Sequence, residues 1–341
     1  MARVEFNCRP TMIGSMPHRD PLAACRQVRH YLRDIPAWPQ LPRRAFHENM
    51  YAQYSQGFPG ITIEDERIWV ERRRARDELE QFYADFLADD CYKYAIGAEY
   101  AAGLHTMLGS GGPAPWAVKG QVTGPVTWGL TVTDEDRKGI LYDDTLGEAV
   151  PKLLKMKASW MEKVLGQLSG RTIIFLDEPY MSAFGSVGMM LSREQVVSLL
   201  DEVFEGIQGI KGVHCCGNTD WSIILQTRTD IISYDAYNYG ETLAIYADEV
   251  RQFLAEGGTV AWGIVPNEAE SLARETVSSL RDRLEETMAP FSRNGLPFRQ
   301  VARQSLLTPS CGLAPLGSEE AAGQALELLA DLAGQMRRKY T

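Results

Sequence analysis

The stretch TIIFLD at residues 172–177 decides the fold class. It is a short run of β-branched, aliphatic and aromatic residues that ends in a carboxylate and is followed closely by Pro179. Such a run, bounded by turn-forming residues, is typical of a buried β-strand. Similar runs recur along the chain at TMIGSMP (11–17), AVKGQVT (117–123), GVHCC (212–216), DIISYD (230–235), TVAWGIV (259–265) and SLLTP (305–309), with a weaker candidate at WPQLP (38–42).

Amphipathic stretches with helical periodicity separate these runs. Ser192 with Gln195 forms a capping-box pattern, and Ser318 is a good N-cap residue for the last stretch. Strands that alternate with helices of this length predict βαβ units and a parallel sheet. The predicted helices cover residues 144–168, 192–207, 241–256, 268–291 and 318–339.

The number of units favours one particular α/β architecture. Seven or eight βα units in succession predict a closed (β/α)8 TIM barrel rather than an open doubly wound sheet, and the GxGxxG turn of dinucleotide-binding sheets does not occur. Two helical stretches, at 63–89 and 91–108, have no strand between them. We therefore predict a single barrel domain over residues 1–341, with a helical hairpin at about 63–109 inserted after the second strand.

Composition excludes several functional classes. The chain has 35 Lys and Arg against 45 Asp and Glu, a net charge of −10, which argues against nucleic acid as a partner. No apolar run approaches the ~18 residues of a membrane span, and the N-terminus lacks the apolar core of a signal peptide. We therefore expect a cytoplasmic protein with reduced thiols, in which Cys8, Cys25 and Cys91 are buried filler.

Candidate metal ligands lie at two strand ends. His214 and Cys216 alternate on one strand and so point to the same side, whereas Cys215 points to the other. Cys311, in PSCG (309–312), occupies the equivalent place after the last strand. Since the carboxyl ends of barrel strands meet at one face, an imidazole and two thiolates can bind one zinc ion there and leave a fourth position open.

Carboxylates and a hydroxyl lie at the same predicted face. Asp177 and Glu178 are adjacent and face opposite sides, so one of them can reach the cavity and hold an ammonium group. Ser15 can bind a carboxylate through its hydroxyl and main-chain N–H, since Gly14 permits a close approach. Glu48 and Asp235 also follow predicted strands.

At these residues the chain resembles the zinc-dependent methyltransferases of the cobalamin-independent methionine synthase group, and their corrinoid-dependent relatives. The resemblance is carried in family order over nearly the whole chain by TMIGSMP (11–17), VKGQVTGPV (118–126), IIFLDEP (173–179), VHCCGN (213–218), DIISYD (230–235) and LTPSCGL (307–313). It implies a (β/α)8 barrel equivalent to the C-terminal one of those two-barrel enzymes.

The resemblance also implies roles for individual residues. Zinc would be held by His214, Cys216 and Cys311 with an acidic fourth ligand, for which Asp235 matches by position and Glu178 or Glu241 are alternatives. Homocysteine would bind through its carboxylate to Ile13, Gly14 and Ser15, and through its amino group to Asp177, with Glu48 as a second acidic contact.

The methyl donor follows from a departure from that family. Its folate-dependent members carry a His on the loop after the seventh strand, whereas GIVPN (263–267) has none. Methyltetrahydrofolate needs a protonated leaving nitrogen and a methylcorrinoid does not, so we expect a methylated corrinoid protein as donor.

Three alternatives stay open: a metal-free enzyme like uroporphyrinogen decarboxylase, a coenzyme M methyltransferase that would use Lys119 for the sulfonate, and a non-catalytic corrinoid- or metal-binding module.

Overall fold

The computed structural model describes residues 4–292 and 296–341. Seven of the strands form one parallel sheet in the spatial order β1-β10-β9-β8-β7-β6-β4, which curls into a half-barrel, and β2, β3 and β5 form a small second sheet. In chain order the strands are β1 (Arg9–Pro10), β2 (Ile61–Glu64), β3 (Arg67–Val70), β4 (Val118–Thr123), β5 (Thr133–Asp134), β6 (Thr172–Asp177), β7 (Ile210–Cys215), β8 (Ile231–Tyr234), β9 (Thr259–Val265) and β10 (Ser305–Pro309).

The eighth barrel position is filled by an irregular segment, which corrects the prediction of a fully closed barrel. Residues 36–40 lie between β4 and the chain that follows β1, and they make only single parallel bridges, Ala37 with Lys119 and Ser15 with Gln40. Prolines at positions 36, 39 and 42 have no N–H to donate to a ladder. The curled sheet is therefore joined at this seam, but not by a regular strand.

Helices cover the outer face of the curled sheet. The predicted caps are present, because Ser192 and Gln195 form the reciprocal capping box and the Ser318 side chain accepts from the N–H of Ala321. None of the helices in the described ranges combines the length and apolarity needed to cross a bilayer. The helices are α1 (Pro21–Tyr31), α2 (Arg72–Leu87), α3 (Ala102–Gly109), α4 (Pro125–Thr131), α5 (Leu146–Leu165), α6 (Arg193–Phe204), α7 (Trp221–Ile224), α8 (Ala236–Tyr239), α9 (Ala247–Glu256), α10 (Ala269–Leu272), α11 (Val277–Met288), α12 (Phe298–Arg303) and α13 (Glu319–Tyr340).

The predicted helical hairpin at 63–109 is only partly helical. Its first residues belong to the antiparallel hairpin of β2 and β3, whose turn residues Asp65 and Glu66 both have positive φ, 45° and 60°. Helix α2 follows as expected, but the second helix is reduced to a 3-10 turn at Cys91–Tyr94 and the short α3. Three consecutive β-branched residues in ITIE (61–64) favour the strand over the helix that we predicted from residue 63.

The interior of the curled sheet changes character along its strands. At the amino ends an apolar cluster, which we call the apolar end, comprises Phe6, Ile35, Ala117, Ile173, Phe175, Ile231, Ala261 and Leu306. Two residues further along β6 the same face carries Asp177 instead of Phe175. The carboxyl ends of the strands therefore present polar groups to a buried space, and this polar end holds the candidate site.

Candidate metal centre

The structure brings His214, Cys216 and Cys311 together. His214 lies on strand β7, Cys216 directly follows its end, and Cys311 lies on the loop after β10; one imidazole nitrogen and the two Sγ atoms all lie within 4.8 Å of one another. Ligand atoms bound tetrahedrally at Zn–S of about 2.3 Å and Zn–N of about 2.0 Å would lie roughly 3.5–3.8 Å apart. A small contraction of this triad would enclose a zinc ion.

The hydrogen bonds of His214 leave one ring nitrogen for a metal. Its Nδ1 lies 3.0 Å from the Ser233 hydroxyl oxygen, while its Nε2 is buried without a partner among the described residues. We assign the proton to Nδ1, which then donates to Ser233 and directs the Nε2 lone pair towards the two thiols. Because a buried polar atom without a partner costs about 1–3 kcal/mol, this arrangement fits a ligand better than a structural histidine.

The two thiols of the triad are electrostatically coupled. A hydrogen bond from Cys311 and contacts with His214 lower the pKa of Cys216 to about 4, although burial acts in the opposite direction. The same hydrogen bond, together with burial, raises the pKa of Cys311 well above its usual range. Cys216 is therefore the more acidic of the two thiols, and the two sulfurs share one hydrogen bond.

The remaining cysteines behave as filler. Cys8, Cys25 and Cys91 are buried, as predicted, and Cys215 is buried on the opposite side of β7 from the triad. Burial raises the pKa of Cys8, Cys25 and Cys215 to about 12. The lowered pKa of Cys216 separates it from Cys8, Cys25 and Cys215.

Asp177 stands beside the triad with an open oxygen. It pairs in register with His214 on the neighbouring strand, and its Oδ1 is buried without a partner in the described part of the chain. Burial raises the pKa of Asp177 to about 6, and the nearby Lys119 opposes that rise. An unpaired oxygen of this kind can accept from an ammonium group of a ligand.

Residues Ile13, Gly14 and Ser15 lie against the loop that carries Cys311. The N–H of Leu313 donates to the Ser15 carbonyl at 2.7 Å, and a Cβ on Gly312 would lie only 2.0 Å from the Ser15 hydroxyl oxygen. Only glycine fits at position 312 in this packing. The Gly14 and Ser15 N–H groups donate to no acceptor within the described ranges, so both are available to an anion.

The predicted acidic ligands do not join the triad. Asp235 caps α8, since its Oδ1 accepts from the Asn238 N–H at 2.8 Å and its Oδ2 from the Asn238 side-chain amide at 2.7 Å. Glu241 is exposed in the following loop. Burial raises the pKa of Asp235, although its hydrogen bonds with Asn238 act in the opposite direction.

Two other predicted acids have structural partners. The buried carboxylate of Glu178 accepts from the N–H groups of Val126 and Thr127 at 2.9 and 2.7 Å and so caps α4. Glu48 is buried and pairs with Arg44 at 2.8 Å. Neither belongs to the described donor group of the metal centre.

Sequence reasoning missed several residues that support the site. Asn267 donates to the Gly312 carbonyl at 3.1 Å and accepts from the Ser310 hydroxyl at 3.0 Å, which fixes the loop around Cys311. Ser233 was detectable, because it shares a strand face with Asp235 opposite His214. No pattern in the sequence marks Asn267.

Comparisons with known proteins concern the fold. The sequence matches no protein-family model and no curated protein. A solved structure of a candidate vitamin-B12-independent methionine synthase from Listeria monocytogenes is 12% identical, with a TM-score of 0.60 over 98% of this chain and 99% of that one. A B12-independent methionine synthase from Shewanella sp. W3-18-1, solved in complex with selenomethionine, is 20% identical over 65% of this chain, with a TM-score of 0.47. This chain spans 63% of the length of the Shewanella protein, and it shares its fold with the Listeria protein from end to end.

Proposed function

We propose that this chain is a zinc-dependent methyltransferase that methylates the sulfur of homocysteine to give methionine, with a methylated corrinoid protein as donor. One observation carries the proposal. An imidazole nitrogen that is buried without a partner among the described residues lies within 4.8 Å of two coupled thiols, at the carboxyl end of a curled parallel sheet, where such folds place their reactive groups.

The residues of the triad fit a zinc ion in donor type. His214, Cys216 and Cys311 would hold it, and Ser233 would keep His214 in the tautomer required. A zinc ion bound there would take a substrate thiol as its thiolate at neutral pH, whereas a free thiol with a pKa of about 8.5 is mostly protonated.

The neighbouring groups suit an amino acid that carries a thiol. The open Oδ1 of Asp177 would accept from its ammonium group, and the Gly14 and Ser15 N–H groups with the Ser15 hydroxyl would bind its carboxylate. Ile13 supplies the main chain that precedes these donors. Glu48 already pairs with Arg44, so we assign the amino group to Asp177 alone.

The donor is proposed from the chemistry of the leaving group. The sulfur lone pair would form the new S–C bond, and the electron pair of the Co–C bond would remain on cobalt as Co(I), which needs no proton. The loop GIVPN (263–267) has no histidine, and its Asn267 side chain is already bonded to Ser310 and Gly312. This loop therefore offers no acid to protonate a folate nitrogen.

Metal analysis and methyl transfer test the proposal together. Protein purified under reducing conditions without chelator should contain about one zinc per chain. It should then methylate homocysteine from methylcobalamin, used as a probe for the donor protein, and not from methyltetrahydrofolate. Efficient turnover with methyltetrahydrofolate refutes the corrinoid donor, and methylation of 2-mercaptoethanesulfonate in place of homocysteine refutes the amino acid substrate.

Two cysteine variants give a matched control. Cys311→Ala should weaken zinc binding by more than about 100-fold, because loss of a ligand exceeds the 10–100-fold effect of losing a supporting group. Cys215→Ala removes a buried thiol next to Cys216 that faces away from the triad, and it should retain zinc. Near-stoichiometric zinc and full activity in Cys311→Ala would rule out Cys311 as a ligand.

A further inference from the structure

Lys119 is a lysine enclosed within the curled sheet. It is 0% exposed, and its Nζ donates to the Ile13 carbonyl at 2.7 Å and to the Gln121 side-chain oxygen at 3.3 Å. The same Nζ lies 4.4 Å from the centre of the Phe175 ring. A buried cation is costly unless it is bonded and paired, so its presence here calls for a specific role.

Its contacts cross the irregular seam of the sheet. Lys119 reaches the Ile13 carbonyl past residues 36–40, which pair with their neighbours through isolated bridges, and Gln121 donates to the Trp38 carbonyl at 3.2 Å at the same seam. A Cβ on Gly14 would lie 2.2 Å from the Gln40 side-chain oxygen, so the chain at Gly14 is confined. The Gln40 N–H donates to the Gly14 carbonyl at 3.0 Å and the Leu313 N–H to the Ser15 carbonyl at 2.7 Å, and the side-chain bond from Lys119 adds to these main-chain bonds of the 13–15 segment.

The bond to Ile13 acts directly on a donor of the proposed carboxylate site. The Ile13 carbonyl and the Gly14 N–H belong to one peptide group, and a cation bound to the oxygen polarises the N–H into a stronger donor. That N–H and the Ser15 N–H have no acceptor in the described chain. Beyond them, Ser15 contacts Gly312 and Leu313 next to Cys311.

The charge of Lys119 is balanced within the site. Burial lowers its pKa to about 8, and the charge of Asp177 acts to keep it protonated. Asp177 is itself open on Oδ1 towards the polar end. A zwitterionic ligand would therefore meet the carboxylate of Asp177 at one end and donors supported by Lys119 at the other.

We propose that Lys119 is a positioning residue that fixes and polarises the Ile13–Gly14 peptide, and thereby makes the site prefer a thiol with an α-carboxylate over the same thiol without one. This inference rests on the proposed function, since it concerns the amino acid acceptor of that site. It predicts a selectivity between two ligands, which a general loss of folding or of metal would not produce.

Calorimetric titration of zinc-loaded protein tests the inference with homocysteine and with 3-aminopropane-1-thiol, which is homocysteine without its carboxylate. Wild type should bind homocysteine more tightly. Lys119→Met should bind homocysteine about 10–100-fold more weakly, the range of one charge-assisted hydrogen bond, and the aminothiol within about 3-fold of wild type. Lys119→Gln keeps a short donor without the charge, so its affinity for homocysteine should lie between those of wild type and Lys119→Met. This variant replaces Lys119→Met in the test if Lys119→Met does not fold.

Lys157→Met is the matched control, because Lys157 is also 0% exposed but lies on α5, where its Nζ donates to the Ala95 carbonyl at 3.5 Å. It should bind both thiols as wild type does. Equal losses for the two thiols in the Lys119 variants, or no loss, would overturn the inference while the proposed function stands. Failure of zinc-loaded wild type to bind either thiol would overturn the proposed function and this inference with it.

Discussion

The two ends of the curled sheet are built from the same strands and differ in how completely their groups are satisfied. At the apolar end, Phe175 and its neighbours are buried against one another, and the Lys119 Nζ lies over the Phe175 ring. At the polar end, His214 Nε2 and Asp177 Oδ1 are equally buried but have no partner in the described structure. Burial of apolar side chains at the first end stabilises the fold. The second end contains buried polar atoms without hydrogen bonds, and a bound ligand would supply those bonds.

The two ends lie a short distance apart, because every second residue of a strand points to the same face. On β7, Gly212 makes room for the Phe175 ring, and His214 follows two residues later on the same face, about 7 Å along the strand. Substitutions at the two ends should therefore have opposite signatures: changes at the polar end should alter ligand binding, and changes at the apolar end should alter stability.

The largest effect is expected at the polar end. Cys216→Ala removes the sulfur that carries thiolate character and should weaken zinc binding by more than about 100-fold. The unfolding free energy of the metal-free protein should change by less than about 1 kcal/mol, since Cys216 is partly exposed. Competitive zinc titration and denaturant unfolding measure the two quantities, and tight zinc binding by this variant would separate Cys216 from the metal centre.

The apolar end should show the reverse signature. Phe175→Ala removes a fully buried ring and should cost about 3–5 kcal/mol of unfolding free energy, while zinc stoichiometry stays near wild type. Leu87→Ala, at a side chain that is 81% exposed, is the control and should change stability by less than about 0.5 kcal/mol. Denaturant unfolding checks both variants, and loss of zinc from folded Phe175→Ala would show that the two ends are not independent.

A buried lysine outside both ends gives a prediction on pH. Burial lowers the pKa of Lys157 from 10.5 to about 7. The unfolded chain takes up this proton below its ordinary pKa and the folded chain only near pH 7, so the lysine destabilises the fold increasingly as pH falls from about 10 to about 7. Lys157→Met should therefore raise the unfolding free energy at pH 7 by about 2–4 kcal/mol, and the gain should shrink towards pH 10.

Lys155→Met is the control on the same helix, where Lys155 pairs with Glu205 at the surface. It should change stability by less than about 1 kcal/mol, with no such dependence on pH. Denaturant unfolding at several pH values measures both variants. A gain from Lys157→Met that stays constant up to pH 10 would mean that the folded protein keeps this lysine charged.

Much of this contrast could be read from the sequence, because it depends on short-range alternation. The strand runs TIIFLD (172–177), TVAWGIV (259–265) and SLLTP (305–309) occupy β6, β9 and β10 residue for residue. The rule that carboxyl ends of parallel strands meet then brings Cys311 to His214 and Cys216 across almost a hundred residues. These inferences needed only periodicity and the known geometry of parallel sheets.

What the sequence did not reveal depends on tertiary contacts. The proline-rich segment at 36–40 pairs too irregularly to be a strand, and a hairpin with two residues of positive φ replaces the start of the predicted helix at 63. Asp235 stands at the spacing expected of a ligand, but the Asn238 side chain folds back onto it. Such local competition between a cap and a ligand role has no signature in residue spacing.

A smaller effect is expected from the serine that orients the ligand histidine. Ser233→Ala removes the partner of His214 Nδ1 and should weaken zinc binding about 10–100-fold with little loss of stability. Ser305→Ala is the counterpart at the amino end of β10, where the hydroxyl accepts from the Trp262 indole at 2.8 Å. That variant should cost about 1–3 kcal/mol of stability and leave zinc binding intact. Zinc titration and denaturant unfolding measure both variants. If the two substitutions affected the same quantity, zinc affinity or stability, the contrast between the polar and apolar ends would be wrong.

The smallest effect is expected at Asp235, and its size decides what that carboxylate does. Both oxygens of Asp235 accept from Asn238, and Asn is as good a helix N-cap as Asp, so Asp235→Asn should alter zinc affinity by no more than about 3-fold. Asp235→Ala removes the cap as well and should cost about 0.5–2 kcal/mol of stability. If Asp235→Asn instead weakens zinc binding by more than about 100-fold, the carboxylate is a fourth ligand that leaves its cap when the metal binds. Asp235 would then give up the hydrogen bonds that stabilise α8 in order to bind the metal. The contrast between the two ends would in that case include a residue that caps a helix in the metal-free structure.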